Sequence, residues 1–122
     1  MRLRMELFTS DIEKTVQFYK DIIGLTLVRT SQTYAELVYE TVEIGIGLLE
    51  ALPDRHPLKA QKGERLGLGV EIVIEVPDIE KKYKEVVESG YPIDEVLSQQ
   101  EWGSTDFRLL DPNGYYIRIT EA

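Results

Sequence analysis

Two stretches of the chain carry the same pattern of apolar and polar positions. Residues 3–9 and 71–76 alternate with a period of two, as half-buried strands do. Each leads into a run of helical period: Ile12, Val16, Tyr19 and Ile23 in the first copy, Ile79, Tyr83, Val86 and Val87 in the second. The tetrapeptide Asp11-Ile12-Glu13-Lys14 recurs 67 residues later as Asp78-Ile79-Glu80-Lys81. Asp11 and Asp78 are placed to accept the free amides of a first helical turn. Gly24 and Gly90 are placed to close each helix in the left-handed conformation. Three strand-like runs follow each glycine: 25–31, 34–39 and 44–50, then 93–97, 105–110 and 115–121. The last two are joined by Asp111-Pro112-Asn113-Gly114, which predicts a type I turn ending in a left-handed residue. Residues 51–69 contain Pro53, Pro57, Gly63, Gly67 and Gly69 and read as a loop. The pattern predicts an α+β protein: one domain of two tandem βαβββ modules, 1–50 and 70–122, joined by loop 51–69.

A helix covers one face of each four-stranded sheet and leaves the other open. Two such mixed sheets, curled side by side, are expected to form a cleft in which a ligand binds. Strand alternation then lists the residues facing it. With Met5 and Leu7 toward the helix, Arg4, Glu6 and Phe8 face the opening. With Ile72, Ile74 and Val76 inward, Glu71, Val73 and Glu75 face it. With Tyr115, Ile117 and Ile119 inward, Tyr116, Arg118 and Thr120 face it. In the first module Ile44, Ile46 and Leu48 pack inward and leave Gly45, Gly47 and Leu49. The repeat makes Arg4 equivalent to Glu71 and Gly47 to Arg118. Arg4, Glu71 and Arg118 are expected either to pair internally or to offer guanidinium forks to a ligand carboxylate or phosphate.

Composition narrows the function. The chain has 122 residues, 43% of them hydrophobic, enough for a real core. Its formal net charge is −8, and 13 of its 22 acidic residues lie beyond residue 61. Such a charge repels a phosphate backbone, which disfavours nucleic acid as a partner. The absence of cysteine excludes disulfides and cysteine zinc sites, and the single histidine, His56, excludes a multi-histidine metal centre. His56 reads as a solvated loop residue. No apolar run approaches the ~18 residues of a membrane span. The first residues lack the apolar stretch of a signal peptide, so a cytoplasmic location is expected. Gly45-Ile46-Gly47 and Gly67-Leu68-Gly69 lack the spacing of phosphate loops. No serine–histidine–acid set is identifiable. Lys81-Lys82-Tyr83-Lys84 reads as a solvated helix face. Phe107 and Leu109 are assigned to the core.

The segments LFTSDIEKTVQFYKDIIGLTL, from Leu7, and EWGSTDFRLLDPNGYYIRITE, from Glu101, carry a resemblance. With the second strand-helix copy they span nearly the whole chain. The spacings Phe18-Tyr19…Gly24-Leu25 and Trp102-Gly103…Phe107…Asp111-Pro112…Gly114 resemble the vicinal oxygen chelate superfamily of glyoxalase I, extradiol dioxygenases and bleomycin-resistance proteins. That likeness implies a glyoxalase-like fold. Its metal enzymes carry His or Glu at the positions held here by Arg4, Gly47, Glu71 and Arg118. Only Glu71 can ligate a metal, and guanidiniums repel one. No metal or other cofactor is therefore expected, and glyoxalase I and extradiol chemistry are disfavoured. The metal-free bleomycin-resistance proteins, small acidic homodimers that sequester a drug, are the nearer type. Trp102 would then offer a stacking surface, or else pack its loop onto the core. Glu6, Glu71 and Glu75 would attract a cationic group, which Arg4 and Arg118 oppose.

The expectation is a homodimer that binds a small organic molecule, such as an antibiotic or a metabolite, without a metal. Its expected ligand contacts are Arg4, Glu6, Phe8, Leu49, Glu71, Glu75, Trp102, Tyr116, Arg118 and Thr120. A lyase, isomerase or dioxygenase-related enzyme with an altered site is the alternative. An interaction module without a small-molecule site is a second.

Overall fold

Alternating apolar residues and capped helices build the same element order twice. The computed structural model describes residues 1–61 and 63–122. They form two units, 1–66 and 67–122. In the first, strand β1 (Met5–Thr9) leads to helix α1 (Ile12–Gln17), and then come β2 (Thr26–Thr30), β3 (Tyr34–Tyr39) and β4 (Val42–Leu48). The second repeats this with β5 (Glu71–Val76), α2 (Ile79–Ser89), β6 (Glu95–Gln99), β7 (Thr105–Leu110) and β8 (Tyr116–Glu121). The sheet orders correspond: β1-β4-β3-β2 and β5-β8-β7-β6. The pairs β1–β4 and β5–β8 are parallel and the rest antiparallel. This is the α+β arrangement of two βαβββ modules predicted from the repeat.

The helix starts follow the sequence signals. Asp11 accepts from the Lys14 amide at 3.0 Å and Asp78 from the Lys81 amide at 3.0 Å. Both helical segments end on glycines with positive φ, 101° at Gly24 and 82° at Gly90. The first helix departs from its expected period. After Gln17 it widens into a π-helical turn, Phe18–Ile23. The wider turn takes two adjacent aromatics, Phe18 and Tyr19, into the core edge to face, with ring centroids 4.9 Å apart. Val16, expected inward, is only half-buried, and Thr15 is buried in its place. The Thr15 hydroxyl donates to the Thr9 Oγ1 at 2.9 Å, which satisfies both polar groups.

Each unit buries one face of its sheet. Leu7, Leu37, Ile44 and Ile46 do so in the first, and Ile72, Phe107, Leu109, Ile117 and Ile119 in the second. Tyr83 of α2 meets Phe107 edge to face at 5.0 Å. This corrects the reading of 81–84 as a solvated face: Lys82 and Tyr83 are half-buried, and burial lowers the Lys82 pKa. The strand expected at 44–50 runs instead from Val42 to Leu48 and passes into a 3-10 turn, Leu49–Ala51. Lys59 reaches back from the loop and donates to the Leu49 and Leu52 carbonyls at 3.1 and 3.0 Å. Of the loop predicted at 51–69, Lys62 lies outside the described residues. The 111–114 turn forms as expected, with Gly114 at φ 96° and its amide donating to the Asp111 carbonyl at 3.1 Å. The Asp111 side chain accepts from the Asn113 and Tyr115 amides. Among the described residues no helix is long and apolar enough to cross a membrane.

Candidate functional site

The open face of the second sheet carries a charged cluster set by strand register. Glu71, Val73 and Glu75 on β5 lie opposite Tyr116, Arg118 and Thr120 on β8. Across β8, Asp106 pairs with Thr120 and Arg108 with Arg118. Period-two alternation therefore puts all these side chains on one face, with Phe107, Leu109, Ile117 and Ile119 on the other.

Within that face the charges pair. Arg118 donates from Nε to Glu71 Oε1 at 3.2 Å, with Nη2 also 3.2 Å from that oxygen. Arg108 donates from Nη1 to the Tyr116 hydroxyl at 3.2 Å, and its guanidinium lies 5.8 Å from the centre of the Tyr116 ring. The Tyr116 bond is the main reason the Arg108 pKa is raised above its usual value, burial opposing it and the Asp106 and Glu95 charges adding to it. Two like charges directly opposed across a ladder are unfavourable. Asp106 offsets this: it is 1% exposed and lies 3.6 Å from Arg108 Nε and 4.0 Å from Arg118 Nη1. Its Oδ1 accepts from Gln100 Nε2 at 2.9 Å. Among the described residues, its Oδ2 and the Arg108 Nε are buried and have no hydrogen-bond partner. Thr120 is buried and donates to the Thr105 carbonyl at 3.2 Å. Glu75 is exposed.

Sequence reading missed Asp106, Arg108 and Glu95. The signal was present for two of them, because assigning Phe107 and Leu109 to the core turns 106 and 108 to the open face.

The first sheet has a smaller cluster. Arg4 Nε lies 3.0 Å from Glu6 Oε1, and the Tyr34 hydroxyl donates to the Glu6 carboxylate at 3.0 Å. Burial first, then that bond and the Glu6 charge, raise the Tyr34 pKa. Gly45 and Gly47 on β4 leave room beneath these side chains. A Cβ at Gly45 would collide with Glu6 and Tyr34, and one at Gly47 would lie 2.8 Å from the Phe8 ring. Leu49, expected on the open face, is buried in the 3-10 turn instead, since the strand ends before it. Trp102 sits in the turn between β6 and β7 with 64% of its surface exposed, and its Nε1 donates to Ser104 Oγ at 2.6 Å. Its ring is thus not packed into the core.

Neither unit by itself gathers ligands for a divalent cation among its described residues. Arg4 and Arg118 are cations paired with Glu6 and Glu71 and cannot ligate, the Phe8 ring lies where a side chain at 47 would start, and Glu71 is held by a guanidinium. Among the described residues, no three His, Asp or Glu side chains come together in a way that could hold a metal.

The same βαβββ unit thus occurs twice, and the second sheet carries a polar, partly exposed face. Residues 3–119 match the model of the Glyoxalase/Bleomycin resistance protein/Dioxygenase superfamily, and the chain belongs to that family. It is 30% identical to a lactoylglutathione lyase of Haemophilus influenzae over 126 aligned positions, covering 98% of this chain and 90% of that protein. In structure it is similar to a glyoxalase/bleomycin resistance protein/dioxygenase from Nocardioides, with a TM-score of 0.83 and 18% identity over 99% of this chain and 82% of that one. It is also similar to a bleomycin resistance determinant encoded on the transposon Tn5, with a TM-score of 0.73 and 19% identity over 99% of this chain and 97% of that one.

Proposed function

We propose that this protein binds a small organic molecule, such as an antibiotic or a metabolite, without a metal ion, and works as a homodimer in the cytoplasm. The ligand lies on the open face of the second sheet, against Glu71, Tyr116 and Arg118. The observation that carries this reading is the Arg118–Glu71 pair. In it a guanidinium engages the one carboxylate among the four positions at which the metal enzymes of the family carry His or Glu. Releasing Glu71 to a cation would leave Arg118 beside that cation, and like charges at such range repel. Membership of a family that includes bleomycin-resistance proteins supports binding in general.

The test is a thermal-shift screen of antibiotics and metabolites in the presence of EDTA. A ligand that binds only the native state raises the melting temperature. A chelator-resistant rise supports the reading, and no rise across the panel contradicts it. A second reading, a glyoxalase-like lyase, is favoured by the 30% identity to the Haemophilus influenzae enzyme. It predicts metal-stimulated turnover of a hemithioacetal.

A further inference from the structure

Asp106 is the least exposed charged residue of the second sheet's open face, and half of its carboxylate has no hydrogen-bond partner among the described residues. Gln100 satisfies Oδ1. Oδ2 faces Arg118 Nη1 at 4.0 Å, too far for a hydrogen bond. A buried acceptor left in this way costs stability unless something donates to it. Nearby, Arg108 Nε is a buried donor in the same condition. Each unpaired group is the complement of the other's need.

The sign of the charges decides what fits there. A carboxylate or phosphate would suit Arg118 but would meet the Asp106 charge. An ammonium would suit Asp106 but would meet Arg118. A hydroxyl does both tasks with one atom: it donates its proton to Oδ2 and accepts from a guanidinium N–H. Once seated, an oxygen about 2.8 Å from each partner spans the 4.0 Å separation between them. Entry requires displacement of a side chain, because Oδ2 is shielded from solvent. Arg118 is the group free to yield, being 23% exposed and bonded to Glu71, which is 39% exposed.

We propose that Asp106 and Arg118 together form a subsite for an uncharged hydroxyl, so that the ligand is an alcohol, a phenol or a sugar rather than an organic anion or cation. This rests on the binding reading above and narrows it. Arg108 supports the subsite by holding Tyr116 and by sharing the Asp106 charge.

Three probes with the same ring test it: benzyl alcohol, benzoate and benzylamine. Each is titrated into the isotope-labelled protein while the amide resonances of β7 and β8 are followed. Benzyl alcohol is expected to bind about ten-fold more tightly than either ion. Asp106→Asn removes the repulsion toward an anion, so benzoate becomes the preferred probe. Arg118→Leu removes the repulsion toward a cation, so benzylamine becomes the preferred probe. Arg118 is partly exposed, so its variant carries the test even where the Asp106 variant does not fold. The proposal is overturned if an ion matches benzyl alcohol in the wild-type protein, if the folded variants keep the alcohol preference, or if no probe shifts β7 and β8. In that last case, a hit in the thermal-shift screen would leave the binding reading standing. Failure of both would remove both.

Discussion

Arg118 closes on a single oxygen of Glu71 from two of its nitrogens, Nε and Nη2, each at 3.2 Å. The two residues lie on neighbouring parallel strands, β5 and β8, and the buried Asp106 approaches the same guanidinium from β7. One guanidinium therefore lies beside one exposed and one buried carboxylate at once, and Arg108 stands beside the buried one as well. Such a cluster is expected to respond sharply to a reversed charge.

Arg118→Glu would place a third carboxylate beside Glu71 and Asp106. Asp106 would keep Arg108 at 3.6 Å but lose Arg118 and gain a like charge, and breaking a buried charge pair typically costs about 3 kcal/mol. Urea unfolding should show a loss of that order. Lys81→Glu, at an exposed position of α2, should change stability by no more than about 0.5 kcal/mol. Equal midpoints for the two variants would contradict the role given to Arg118.

Gly47 is held small by Phe8. A Cβ there would lie 2.8 Å from Cε1 of the ring, closer than real contacts allow. Gly47→Ala should cost about 1–3 kcal/mol, the range of overpacking. Phe8→Ala in the same chain should recover part of that loss, since the two residues touch. A double-mutant cycle by chemical denaturation measures the coupling, and a value of zero would refute the contact.

Much of the fold was legible because strand and helix periods repeat and their ends are marked. Asp11, Asp78, Gly24 and Gly90 all act at the helix ends as their residue types suggest. The open faces were legible from alternation alone at Glu6, Phe8, Glu71 and Arg118. What alternation cannot report is where a strand stops. Leu49 falls outside β4 because the chain turns into a 3-10 segment that Lys59 ties down, a contact ten residues away in sequence. The π-helical turn escaped for a related reason. Adjacent Phe18 and Tyr19 both belong inside, and an ideal α-helical period admits only one of them well. Partners on a sheet face depend on which of several neighbouring side chains a long arginine chooses. Alternation assigns Arg4 to the open face but does not select Glu6 as its partner.

Tyr91 offers a pH signature far from the charged cluster. Its hydroxyl donates to the Leu110 carbonyl at 2.6 Å, and burial, aided by the Asp111 charge, pushes its pKa up to about 12. The unfolded value is about 10. A raised value means that the folded state holds the proton more tightly. The associated stability is present in full below pH of about 10 and is lost as the pH rises through about 12. Tyr91→Phe should be less stable at neutral pH, for want of the hydrogen bond, but should lose less stability over that alkaline range. Unfolding curves at stepped pH check both statements, and parallel alkaline slopes would contradict the assignment.

In the proposed function, guanidinium groups and not a metal ion organise the open face of the second sheet. Elemental analysis of protein purified without chelator, after exposure to excess zinc, nickel or iron and gel filtration, tests it most directly. The account predicts far less than one divalent ion per chain, with Arg118 still on Glu71. One tightly held ion per chain would contradict it.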